Sequence, residues 1–357
     1  MSQDIQCHSR YSVLALQLDC HAINQITDVE VAREQVMKAV HNAAHHITTC
    51  SKFTQFFTGL PLRLVVLPEF LFTGFPFGQT TEEWRDRAAF DPDGPEFEIL
   101  SKAAQDANTF VAGNAYEKDP NFPEMYFQTC FIIAPNGNII LKYRRLTSSF
   151  EPTPHDVLDK YLDIYGLEGL FPVAKTEIGN LACIASEEIF WPELSRLHVL
   201  RGAEIIIHPT SEPGAGTRTA RDVCKQTRAA ENMAYVVSAN TSSIQGSVVP
   251  AETCCGFSKI VDYKGNILSE AAEGGESHWA SDVIELDALR DYRRRVGMAN
   301  LLARQPVDIY GAAYSAIHRH PSNTFLKNGE VVVPPGHDWF NNRQAGVIRE
   351  MEEKGWI

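Results

Sequence analysis

Three polar residues stand at the ends of apolar runs in this chain, and their types could do chemistry together: Glu69, Arg145 and Ser186. Ser186 has the clearest setting. Residues 181–185 form a short apolar run that fits a buried strand. The run breaks into Ser186, Glu187 and Glu188, and Pro192 then opens a helical pattern through Leu194, Leu197, Val199 and Leu200. Proline is tolerated at a first helical position because its missing N–H would be unpaired there. Such a strand-to-helix turn pushes one side chain out of the sheet top, beside backbone N–H groups able to stabilise an anion. Residues 201–209 continue as a glycine turn and another buried strand, so Ser186 lies in the elbow of a strand–helix–strand unit. Glu69 follows the apolar run 62–67 through Pro68, and Arg145 closes the second strand of a hairpin.

The residue types limit what each could do. A guanidinium holds an oxyanion by charge and paired N–H groups but cannot give up its proton. A serine hydroxyl is a weak acid that needs a base. A carboxylate of ordinary pKa serves poorly as that base unless burial raises it by several units. His155 and Asp156, in a proline-interrupted segment, could supply one, although ordering the loop is the better account of them. His208, at the next strand end, is placed near the pocket as a proton shuttle or as a satisfied polar residue. Trp191, with Phe72, Phe75 and Phe77, offers apolar walls or plain core packing, and Glu187 reads as facing solvent. Odd spacing along a strand turns Cys183 away from Ser186 and Lys142 away from Arg145, so neither replaces them. His41 and His45 lie one helical turn apart with no carboxylate or cysteine pattern beside them, which reads as a solvated face. No metal or cofactor is expected.

Strands and helices alternate along the chain to position these residues. Strands are expected at residues 11–18, 62–67, 109–115, 126–134 and 139–143, the last two joined by an Asn136-Gly137 hairpin turn. A helix is expected over 29–44, a loop insertion over 51–60, and a long segment over 147–171 of the kind that forms lids or binding loops. Further strands are expected at 235–240, 257–262, 267–270 and 279–286, with a helix over 218–230. The fold class is therefore α/β, with sheets covered by helices. The tail, with Pro334-Pro335 and a closing helix near 349–354, shows no core of its own and is expected to wrap the body or a partner subunit.

Composition narrows the partners. A net charge of -13 argues against nucleic acid and anionic membranes. No apolar run reaches membrane-spanning length, and residues 1–8 lack the features of a signal peptide. Eight cysteines in 357 residues, two of them adjacent at Cys254-Cys255, fit reduced thiols in a cytoplasmic protein better than a disulfide scaffold. A small-molecule substrate is the expected partner.

Several segments now carry a resemblance. Leu67-Pro68-Glu69-Phe70, Lys142-Tyr143-Arg144-Arg145 and the Ser186-x-Glu188-x-x-x-Pro192-Glu193 elbow resemble the three signature segments of the nitrilase superfamily of carbon–nitrogen hydrolases. Supporting segments around Arg201-Gly202-Ala203-Glu204, Arg228-Ala229-x-Glu231-Asn232 and Phe257-Ser258-x-Ile260-Val261-Asp262 agree, and the likeness covers residues 11–290. It implies a four-layer αββα sandwich, usually assembled as dimers and sometimes as larger spirals. The family-like body is placed at residues 1–300, with a C-terminal extension at 301–357. The resemblance further implies a Glu base at Glu69, a second Glu at Glu151, and a structural acid at Glu188. It also marks two departures, Ser186 where the family has its Cys nucleophile and Arg145 where it has Lys. Hydrolysis through a thioester is thus closed to this chain. What remains is an atypical Glu69–Arg145–Ser186 site acting on an amide, carbamoyl or nitrile carbon, a non-hydrolytic derivative of that chemistry, or a silent relative that binds a ligand or partner enzyme.

Overall fold

A computed structural model describes residues 8–212, 219–254, 256–317, 320–334, 336 and 338–357. The readings made on residues 1–7, on Cys255 and on Pro335 lie outside the described residues. In chain order the main elements are β1 (Arg10–Ala15), β2 (Asp19–His21), α1 (Val29–Thr58), β3 (Leu62–Val66), α2 (Thr81–Ala88), α3 (Pro95–Ala107), β4 (Phe110–Lys118), β5 (Tyr126–Ile133) and β6 (Ile139–Arg144). The second half gives α4 (Leu158–Leu170), β7 (Ala174–Thr176), β8 (Gly179–Cys183), α5 (Pro192–Leu200), β9 (Ile205–Thr210), α6 (Ala220–Asn232), β10 (Tyr235–Asn240), β11 (Ser243–Gln245), β12 (Lys259–Val261), β13 (Ile267–Glu270) and β14 (Ser281–Glu285). The chain continues through α7 (Leu286–Arg294), α8 (Val307–Ser315), a two-stranded pair and the closing helix Asp338–Glu353.

Two six-stranded sheets form, ordered β14-β1-β3-β4-β5-β6 and β13-β12-β10-β9-β8-β7. Strand residues alternate between two cores. Val13, Leu64, Val66 and Ile132 from the first sheet meet Leu181, Ile205, Ile207 and Val237 from the second. Their neighbours in sequence point outward. Leu14 and Val65 pack on Val36 and Val40 of α1, and Ala182 and Ile206 pack on Leu194 and Ala229 of α5 and α6. Strands buried on both faces read as continuous apolar runs, which is why they stand out in the sequence. The result is an αββα sandwich.

One expectation fails. Residues 51–60 are not a loop insertion: α1 runs to Thr58 and is stopped by Gly59 in the left-handed conformation (φ 68°). Phe53, Phe56 and Phe57 are partly or largely exposed, and Ser51 and Thr54 are the buried residues there. Apolar and polar positions are thus inverted relative to an amphipathic helix, which hid the helix from a pattern reading. The tail also holds more order than expected. Helix α8 forms, and the closing helix spans 16 residues. Phe325, Val331 and Phe340 pack with Phe122, Phe127 and Tyr161 of the body.

Candidate active site

The hairpin register positions the basic residue. Beyond the last paired residues of β5 and β6 the ladder continues for one step, with the Arg145 N–H donating to the Gln128 carbonyl at 2.9 Å. Gln128 in turn lies opposite Tyr116 on β4. Tyr116, Gln128 and Arg145 therefore form one row across three strands, on one face. At the side-chain level the Gln128 amide donates to Glu69 Oε1 at 2.6 Å, and its carbonyl oxygen accepts from Arg145 Nη1 at 2.7 Å. Arg145 Nη1 lies 3.5 Å from the same Glu69 oxygen. Glu69 reaches this row because its backbone is strapped to the second sheet, its N–H donating to the Thr210 carbonyl at 3.3 Å.

Ser186 completes the chamber. It follows β8 at φ 51°, a left-handed conformation that a serine adopts only when its surroundings enforce it. Those surroundings are visible. His208 Nε2–H donates to the Ser186 carbonyl at 2.8 Å, and His208 Nδ1 accepts from Ser238, its cross-strand neighbour, at 2.9 Å. Arg228 clamps the next turn through the Ile189 and Phe190 carbonyls at 2.9 and 3.0 Å. Burial lowers the His208 pKa to about 4, with Lys225 adding to the effect, so the ring is neutral and fully engaged. His208 is a positioning group here, and its imidazole is not on the serine hydroxyl.

Two buried carboxyls give the chamber its proton chemistry. Burial pushes Glu69 up to about 7, although Arg145, the Ser186 hydroxyl and Gln128 pull the other way. Glu151, also fully buried, is raised to about 7 by burial, against the pull of Arg145 and Tyr116 and with a further push from Glu69. Tyr116 donates to Glu151 Oε1 at 2.6 Å. Glu69 Oε2 and Glu151 Oε2 have no hydrogen bond among the described residues. Each carboxyl can therefore exchange a proton near neutrality. Burial works against the Arg145 charge, but Glu69, Glu187, Glu151 and Glu188 hold its proton more firmly than usual.

The remaining candidates separate by place. Glu188 is buried and accepts from Tyr143 Oη (2.8 Å), Ala185 N (3.0 Å) and Leu146 N (2.8 Å), so it braces the elbow against the end of β6. Glu187 does not face solvent freely: it binds Arg145 Nη2 at 2.6 Å. His155 stacks on His320 with ring centres 5.5 Å apart, and Asp156 accepts from Thr153, Thr324 and Arg343. Neither has a hydrogen bond to Ser186 among the described residues, and the contacts of both lie within their own loop and the C-terminal segment. Cys183 lies in the inter-sheet core, and Lys142 pairs with Glu117 on β4. Trp191, 40% exposed, lines an open groove of about 730 Å³ together with Thr147, Glu187, His155 and the closing helix. Gln128 and Tyr116 escaped the sequence reading, although the hairpin turn that aligns Gln128 with Arg145 was in view. No cluster of His, Cys, Asp and Glu able to hold a metal occurs among the described residues.

A two-sheet sandwich with a buried acid, a guanidinium and an elbow serine at its strand ends has the build of an α/β hydrolytic enzyme. The chain belongs to the carbon–nitrogen hydrolase family, whose model matches residues 22–294. Among its relatives are a nitrilase of Pyrococcus abyssi, 28% identical over 65% of this chain and 80% of that one, and a probable nitrilase of Schizosaccharomyces pombe, 24% identical over 65% and 78%. A formamidase of Bacillus cereus is 25% identical over 67% of this chain and 64% of its own length. Saccharomyces cerevisiae Nit3, of the nitrilase superfamily, superposes with a TM-score of 0.62 at 20% identity, covering 83% of this chain and 98% of that one. A carbon–nitrogen hydrolase of Helicobacter pylori gives 0.62 at 18% identity, covering 86% and 98%.

Proposed function

We propose that the protein hydrolyses a carbon–nitrogen bond of a small amide by direct attack of water. The observation that carries this reading is the state of Glu69: fully buried, raised to about 7, tied at one oxygen to Gln128 and Arg145, with its second oxygen left over for a proton. In this scheme Glu69 takes a proton from water as the water oxygen bonds to the carbonyl carbon. The oxyanion is held by Arg145. The oxyanion collapses and the carbon–nitrogen bond breaks as Glu69 hands that same proton to the leaving nitrogen, which releases the amine and the carboxylic acid and restores the Glu69 carboxylate. Ser186 positions the water, because no imidazole is bonded to its hydroxyl and the one raised carboxylate beside it, Glu69, is assigned to the water.

The test is ammonia release from formamide, acetamide and longer amides, with intact-mass analysis for an acyl-enzyme. Turnover without an acyl adduct is expected. Ser186→Ala should then cost about fivefold to tenfold, the worth of one neutral hydrogen bond. An acyl-serine species, or complete loss in Ser186→Ala, would show instead that Ser186 attacks.

One observation favours a silent ligand-binding relative as the second reading. Most Arg145 N–H groups are already taken, by Thr147 O, Gln128, Glu69 and Glu187. Measurable binding of amides with no product from any of them supports that alternative.

We also read the protein as cytoplasmic and self-associating. No helix among the described residues is long and apolar enough to cross a membrane. Cys20, Cys50, Cys130, Cys183 and Cys224 are free thiols, which fits a reducing compartment. Leu197 and Leu200 on α5 and Val223 on α6 are exposed, at 38%, 39% and 55%, and a dimer would cover them. Light scattering on unreduced protein should give the mass of a dimer or larger assembly, dissociated by Leu200→Glu. A monomer free of disulfides would remove the assembly proposal.

A further inference from the structure

The groove beside the chamber is built partly by residues the family does not supply. Its floor comes from the segment after β6, the start of α4 and the elbow at Trp191. Its far wall is the closing helix, through Phe340, Val347 and Ile348, and these lie beyond the family match, which ends at 294. The volume, about 730 Å³, falls within the range of small-molecule pockets. The lining is largely apolar, with Leu158 and Phe171 facing the helix residues. Trp191 is 40% exposed and Ile348 42%, so apolar surface stands open that a ligand would cover.

The groove lies against the Arg145 site without opening into it. Thr147 and Glu187 line the groove, and the same two residues hold Arg145, at Nε through the Thr147 carbonyl (2.6 Å) and at Nη2 through the Glu187 carboxylate (2.6 Å). One pair of residues thus separates the guanidinium from the apolar space. The charged groups on the groove do not mark it for an anion, because Arg343 is neutralised by the buried Asp156. Burial, with Arg343 adding to the effect, lowers the His320 pKa to about 4.

We propose that this groove receives the aliphatic chain of the substrate, and that the substrate class is medium-chain aliphatic amides. The inference rests on the amide reading above and on the Thr147–Glu187 pair parting, so that the chain's carbonyl end reaches Glu69, Arg145 and Ser186. The C-terminal extension then acts as the specificity wall.

Binding measured by calorimetry with full-length protein, using unbranched primary amides from acetamide to decanamide, tests it without requiring turnover. Affinity should rise about fourfold per methylene until the groove is filled, as full burial of each CH₂ implies. Val347→Trp narrows the groove and should flatten the series at a shorter chain. Val347→Ala widens it and should move the limit to a longer one. Long amides that bind progressively tighter but are never cleaved would keep the groove and remove the hydrolytic reading. Cleavage of formamide or acetamide with no gain of affinity along the series would keep that reading and overturn the groove. A slope that neither Val347 variant shifts would overturn it as well.

Discussion

Glu69→Gln should lower kcat/KM for any amide substrate by about a thousandfold or more, the scale on which removing a positioned general base and an electrostatic partner acts together. The amide replaces the carboxylate atom for atom and can still accept from Gln128, so geometry is largely kept and the proton acceptor is lost. The pH profile gives the sharper signature. In the wild type Glu69 is protonated below about 7 and cannot act as base, so kcat/KM should climb tenfold per pH unit and level off near 7. An ordinary glutamate would place that limb near 4.5. The residual activity of the variant should lose the limb.

Stability separates this result from misfolding. A carboxyl whose pKa rises on folding contributes stability that is present below its unfolded value and lost as pH climbs through about 7. Glu69 therefore opposes folding at pH 8, and the Gln variant should gain thermal stability relative to the wild type at pH 8 and less so at pH 5. Glu151 carries the same dependence and remains in the variant. Turnover within tenfold of wild type in a folded Glu69→Gln protein would rule out Glu69 as the base.

The sequence made the layers legible because both sheets are buried on two faces and read as unbroken apolar runs. The elbow was legible because Pro192 and the acidic break mark it. The partners that tune the site were not legible, and the reason is register. The Asn136-Gly137 turn pairs Ala134 with Asn138, and extending that alignment puts Phe127 opposite Arg145. A register shift between Ile132 and Ile133 moves the pairing by one, so Thr129 meets Arg144 and Gln128 meets Arg145. A bulge of this kind leaves no compositional mark, yet it decides which side chain lies between the acid and the guanidinium. Glu187 was misread for a related reason. Its neighbours in sequence fit an exposed turn, while its partner, Arg145, comes from the other sheet.

Glu188→Ala should unfold the elbow and destabilise the whole protein by about 3–6 kcal/mol, since each buried donor left without its acceptor costs about 1–3 kcal/mol. Three strong donors converge on this carboxylate: the Tyr143 hydroxyl from β6, the Leu146 N–H beyond it, and the Ala185 N–H before Ser186. Glu188 therefore ties the segment that carries Arg145 to the segment that carries Ser186, and alanine frees both ends at once. For a chain of 357 residues a fall in Tm of about 4–8 °C is expected. Burial raises the Glu188 pKa, while Arg145 and the backbone donors draw it back, so the group is an acceptor by construction. Glu188→Gln keeps one acceptor and turns an N–H₂ toward the other donors, so its loss should fall between wild type and alanine. If both variants melt within 2 °C of the wild type, about the effect of a neutral surface change, the tie is weak and Ser186 must be held by His208 and Arg228 alone. The ordering matters for the chemistry. A hydroxyl at a strained φ stays beside Glu69 only while its flanking backbone is pinned, so Glu188→Gln should also raise KM more than it lowers kcat if Ser186 positions a ground-state water.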